Sequence, residues 1–62
     1  MLEPFQKVLA RDYDHTTWKT DLFGYYIRGD KFPYRCVGSS YKQCIPYEWN
    51  EELLGTDNNP LL

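Results

Sequence analysis

The sequence predicts a mostly β fold: a small SH3-like antiparallel barrel of four to five strands, with one short helical turn near the C-terminus. Three observations carry the prediction. Side chains alternate with period two along residues 5–11 and 18–28. Turn clusters at 12–17, 29–31 and 38–40 separate the strand-like runs. The alternation changes phase between Leu22 and Phe23, beside Gly24, as expected of a strand that bulges to turn a barrel corner.

Residues 1–4 form a lead-in, and Pro4 suits the position before a strand because it has no amide proton for a ladder. The first strand is expected over 5–11, with Val8 and Ala10 on one face and Lys7, Leu9 and Arg11 on the other. Phe5 falls on the second face unless a bulge re-aims it. Asp12 to Thr17 is a turn in which Asx and hydroxyl side chains can bond their own backbone. Trp18 opens the second and longest strand, 18–28. Strands over 34–37 and 41–45 flank Gly38-Ser39-Ser40, a hairpin-length connection. Pairing should end at Pro46, with a possible fifth strand around Tyr47 and Trp49. Asn50 then fits an N-cap, Glu51 and Glu52 the first helical turn, and Gly55 the residue past its end. The apolar residues Ile45, Tyr47, Trp49, Leu53 and Leu54 make this C-terminal third a lid on the β core. Residues 1–62 are read as a single domain, 57–62 as a frayed tail.

Composition narrows the jobs available. Two cysteines exclude a disulfide-dense secreted scaffold, and no apolar run approaches a membrane span, so a cytoplasmic protein without membrane contact is expected. Residues 1–42 carry seven bases and five acids, whereas from Gln43 onward there are four acids and no base. That is too little positive charge for a generic nucleic-acid binder, although a local cationic pocket remains open. Eleven residues are aromatic, six of them tyrosine, more than a core this small readily absorbs.

No catalytic constellation emerges, and the chain is not expected to be an enzyme. His15, the single histidine, sits in a polar loop with no ligand spacing, so no metal or cofactor is expected. The glycines stand singly and form no phosphate-cradling loop. Glu51 with Glu52, and Asp12 with Asp14, are sequence neighbours rather than an acid and base pair. Cys36 and Cys44 lie symmetrically about Ser40, which would set them opposite each other in a hairpin, either bridged or, in a reducing cytoplasm, as buried thiols.

What remains is arginine interleaved with surplus rings. Arg11, Arg28 and Arg35 lie among Trp18, Tyr25, Tyr26, Tyr34, Tyr41 and Trp49, and these nine residues form the candidate ligand-binding set. Guanidinium beside aromatic faces suits a site that stacks a base and pairs a phosphate, and equally a protein–protein hot spot. The alternative, outward strand positions with stems lying along the surface, stays open.

The segments Pro4-Phe5-Gln6-Lys7-Val8-Leu9-Ala10-Arg11-Asp12, Trp18 with Leu22-Phe23, and Gln43 to Thr56 carry a resemblance. Across most of its length the chain resembles a group of small phage and mobile-element proteins of gut Bacteroidales, the last segment being the most specific. The group's pattern has glycine at position 49 and histidine at position 52, where this chain has Trp49 and Glu52, so no role carries over to those two positions. The group has no established activity. The resemblance implies a phage source. With the interleaved arginines and rings, the intracellular profile and an area too small for a deep pocket in one subunit, it leads to the expectation of a non-enzymatic, homo-oligomeric anti-defence protein. Such a protein would sequester a small host nucleotide ligand in a pocket shared between subunits, or block a host protein. Alternatives are a Tudor- or SH3-like module binding peptide or single-stranded nucleic acid, and a structural component of the phage particle.

Overall fold

The computed structural model describes residues 2–60. Five strands form one antiparallel sheet: β1 (Lys7–Arg11), β2 (Lys19–Tyr26), β3 (Tyr34–Cys36), β4 (Ser40–Tyr41) and β5 (Gln43–Pro46). Their order is β4-β3-β2-β1-β5. The first four strands meander, and β5 returns to pair with β1, from Val8 opposite Pro46 to Arg11 opposite Gln43. β4 and β5 therefore sit at opposite ends of the strand order while only Lys42 separates them in the chain. The sheet must curl until its two edges meet at that residue. Among the described residues no ladder joins β4 to β5, so the expected closed barrel is not seen. A two-residue strand that turns directly into its neighbour has no length left to pair with it.

The bulge expected at Gly24 is present, with the β2–β3 register shifting between Phe23 and Tyr25. A Cβ on Gly24 would stand 2.7 Å from the Arg35 carbonyl oxygen, so the close approach of the two backbones requires glycine.

β1 departs from the sequence reading. Val8, Leu9, Ala10 and Arg11 are all buried, because strands flank β1 on both sides and both its faces are covered. Leu9, Trp18 and Leu53 form the core cluster, with Ile45 and Tyr47 packed against it. The C-terminal third thus does cover the sheet. Its 3-10 turn, Glu51–Leu53, delivers Leu53, and Gly55 follows at φ 79°. Asn50 occupies the cap position, but its side chain donates to the Pro46 carbonyl and does not cap the helix. Beyond the turn, Trp18 and Leu54 form an isolated parallel bridge, flanked by hydrogen bonds from Gly55 N to Trp18 O and from Trp18 N to Thr56 O.

The expectation that 57–62 is a frayed tail is corrected for 57–59. The Asp57 and Asn58 carbonyls and the Asn59 side chain accept hydrogen bonds from Arg11 and Trp18. Residues 61 and 62 lie outside the described residues. No helix among the described residues is long and apolar enough to cross a membrane.

Candidate functional site

The nine residues of the candidate set do not form one site. Arg11 and Trp18 belong to the interior, each only 2% exposed. The guanidinium lies 4.0 Å above the indole. Its Nε donates to Gln43 (2.7 Å), Nη1 to the carbonyls of Asp14 (3.2 Å) and Asp57 (2.8 Å), and Nη2 to the Asn59 side chain (2.6 Å). Trp18 Nε1 donates to the Asn58 carbonyl at 2.8 Å. A buried guanidinium without acceptors is strongly unfavourable, and here carbonyls from three separate segments supply them. The pair fastens the 12–17 loop and the tail to the sheet. As a ligand-contacting pair it is corrected: a ligand could not reach either ring or guanidinium.

At the β2–β3 end, residues from the set do converge. Tyr26 and Tyr34 are register partners whose rings meet edge to face, with centroids 5.0 Å apart. Beside them a cleft of about 580 Å³ is lined by Leu2, Pro4, Phe23, Gly24, Tyr26 and Tyr34. Its lining is almost wholly apolar because the lead-in residues Leu2 and Pro4 lie against the bulged part of β2. Burial raises the Tyr34 phenol above its ordinary value of 10.0, with Tyr26 and Cys44 adding to the effect. Tyr34 therefore presents a neutral ring to the cleft at any ordinary pH.

Tyr25 and Arg35 form the neighbouring register pair. Tyr25 is exposed, whereas Arg35 is held by an ion pair from Nη2 to Asp30. That hydrogen bond, joined by one from the Lys31 amide, lowers the Asp30 carboxyl below its ordinary 3.8. The buried Nε of Arg35 has no acceptor among the described residues. Arg28 is exposed in the turn between β2 and β3 and makes no ion pair among the described residues.

Tyr41 stands apart, its hydroxyl donating to Asp21 at 3.0 Å. Burial and that hydrogen bond push its pKa up to about 12. Trp49 is also apart, 82% exposed in the turn after β5. The aromatic surplus is thus on the surface, but the three arginines are divided between the interior, an ion pair and an open turn.

The cysteines are free thiols, but they do not face each other across the hairpin as expected. Arg35 pairs with Ser40 and Cys36 N bonds to Ser39 O, so the hairpin turns at Val37 and Gly38 and leaves Cys44 outside it. Gly38 N donates to both Asp21 carboxylate oxygens, which fixes this tighter turn. The curl of the sheet nevertheless brings the two free thiols, one from β3 and one from β5, near enough for each to affect the other's titration. Burial, reinforced by Cys36, pushes the Cys44 thiol up to about 12.

Phe5 belongs to the surface chemistry although sequence reasoning placed it in a strand. It sits at φ 65° and is 74% exposed. The signal was Pro4, which favours the second position of a β-turn. His15 is exposed and stacks on Tyr13, ring centroids 5.6 Å apart. Among the described residues no group of three His, Cys, Asp or Glu side chains converges on a point where a metal could sit. No protein-family model, curated protein or solved structure matches the chain.

Proposed function

We propose that the chain is a non-enzymatic binding protein of phage or mobile-element origin, acting in the host cytoplasm. In this reading it is an SH3-like module that blocks a host protein by docking one of that protein's extended segments. The observation that carries the proposal is the apolar cleft beside the Tyr26–Tyr34 pair. A ring-lined groove suits a proline-rich segment, whose preformed extended helix presents apolar ridges at fixed spacing and loses little entropy on binding. The strand order supports the SH3-like reading, because a four-strand meander whose fifth strand returns to the first is already curled toward a barrel.

Sequestering a nucleotide is supported less well. Its phosphates need charged donors, and Arg11 is enclosed while Arg35 is committed to Asp30. Arg28 with the exposed Tyr25 is the remnant of such a site.

The test is a titration of 15N-labelled protein with a proline-rich decapeptide, alongside calorimetry with cyclic dinucleotides and ADP-ribose. Amide shifts at Gly24, Tyr26 and Tyr34 that disappear in Tyr34→Ala are expected. Binding of a dinucleotide without the peptide would restore the sequestration reading. Binding of neither would refute the cleft as a recognition site.

A further inference from the structure

Among the described residues four turns share one pattern: the amide of the fourth residue bonds to the carbonyl of the first, and the third residue has positive φ. They are Glu3 to Gln6, Ile27 to Asp30, Tyr47 to Asn50 and Leu53 to Thr56. Their third residues are Phe5 at 65°, Gly29 at 83°, Trp49 at 75° and Gly55 at 79°. That is the type II pattern, whose third position ordinarily takes glycine. Here two of the four carry large aromatics, and neither is repaid by packing, since Phe5 is 74% and Trp49 82% exposed.

The two aromatic turns leave the sheet at the same end. β1 and β5 are paired up to Val8 and Pro46, and Tyr47 N bonds to Lys7 O. Phe5 precedes Lys7 by two residues and Trp49 follows Tyr47 by two, so the turns spring from adjacent strands. Exposed carboxylates flank both rings in the chain: Glu3 two residues before Phe5, and Glu48, Glu51 and Glu52 within three residues of Trp49. None makes an ion pair among the described residues. Lys7, the base that opens β1, lies with its ammonium 4.1 Å from the Tyr47 ring centre.

We propose that this end of the β1–β5 pair is a protein-docking surface, and that its occupant is a lysine- and arginine-bearing segment of a partner protein. The charge decides the occupant. Unpaired carboxylates around exposed rings repel nucleic acid and anionic membrane, whereas a guanidinium or ammonium gains both a ring face and a carboxylate. Tryptophan is the preferred ring for such a contact and a frequent interface anchor. The inference does not rest on the cleft, whose lining reaches Pro4 of the first turn but includes neither Phe5 nor Trp49.

The probe is a decapeptide alternating arginine and glycine, titrated into the labelled protein at low ionic strength, with a glutamate–glycine decapeptide as control. The Trp49 indole resonance is expected to move with the basic peptide, while that of Trp18, enclosed and bonded to Asn58, stays fixed. Trp49→Gly, which retains the turn, should weaken binding at least about tenfold, as loss of an interface anchor does. Glu51→Gln with Glu52→Gln should weaken it and flatten its salt dependence. Tyr26→Ala, at the cleft, should leave it unchanged. Equal response to the acidic peptide, or unaltered binding by Trp49→Gly, would overturn the proposal. So would light scattering that shows a dimer whose Trp49 indole is protected, because the occupant would then be a second copy of the chain.

Discussion

The turn at Tyr47 to Asn50 offers a direct measure of how much stability the exposed tryptophan costs. An L-residue in the left-handed region is disfavoured by about 1–2 kcal/mol, and glycine is not. Glycine gives back about 0.5–1 kcal/mol through its freer unfolded chain. Comparing Trp49→Gly with Trp49→Ala cancels the few contacts the ring makes, since both variants lose them. The glycine variant should then be the more stable by about 1 kcal/mol, or about 4–8 °C in a domain of this size. The sign should reverse one residue earlier. Glu48 has no positive φ, so Glu48→Ala should be more stable than Glu48→Gly by about 0.5–1 kcal/mol. Thermal unfolding followed by circular dichroism, with urea midpoints as a check, reads both pairs. Equal stability of the two position-49 variants would show that the turn relaxes around any residue, and the account of Trp49 as a strained residue retained for contact would fail.

Three other perturbations probe the scaffold. Arg11→Lys keeps the charge but cannot reach Gln43, Asp57 and Asn59 at once, and should cost about 3 kcal/mol by urea unfolding; a loss under about 1 kcal/mol would contradict its role as the fastening of loop and tail. Gly24→Ala drives a Cβ to 2.7 Å from the Arg35 carbonyl, and should destabilise by about 1–3 kcal/mol with amide shifts concentrated in β2 and β3; shifts spread evenly over β1 and β5 would count against the bulge. Cys44 is raised from 9.0 to about 12 in the folded state, so the folded chain holds this proton more tightly than the unfolded one. Its contribution is complete below pH 9 and is lost as pH rises toward 12. Thiolate absorbance in the folded protein should therefore be delayed, and a Cys44 signal titrating near pH 9 would refute the burial.

Much of the sheet was legible because its signals are local. The phase change at Phe23 and the glycine beside it located the bulge, and Pro46 marked the end of β5, since period and missing donors act within a few residues. What failed depends on distant partners. Arg11 looked like an outward strand residue because the carbonyl that accepts its proton belongs to Asp57, 46 positions away. The same long-range contact keeps the tail in place, so one misreading produced the other. The Cys36–Cys44 geometry failed through the register, where the Asp21 carboxylate at Gly38 selects a tighter hairpin than symmetry about Ser40 suggests. Phe5 was missed because proline announced the turn while phenylalanine is a poor candidate for its third position.

The candidate site was half legible for a related reason. Counting rings against the size of the core anticipates that some must face outward, and Phe5, Tyr25, Tyr26 and Trp49 do. It does not say what accompanies them. Guanidinium groups were expected beside exposed rings because both are interleaved in sequence, but the one that stacks on a ring of the set, Arg11 on Trp18, does so in the interior. The fold spends Arg11 on its own carbonyls and Arg35 on Asp30, and surrounds Trp49 with glutamates from its own turn and the 3-10 helix that follows. A face built from rings and carboxylates selects cations, whereas rings and arginines would have selected phosphates. The charge of the residues flanking each exposed ring, more than the number of rings, therefore determines the class of partner this surface can hold.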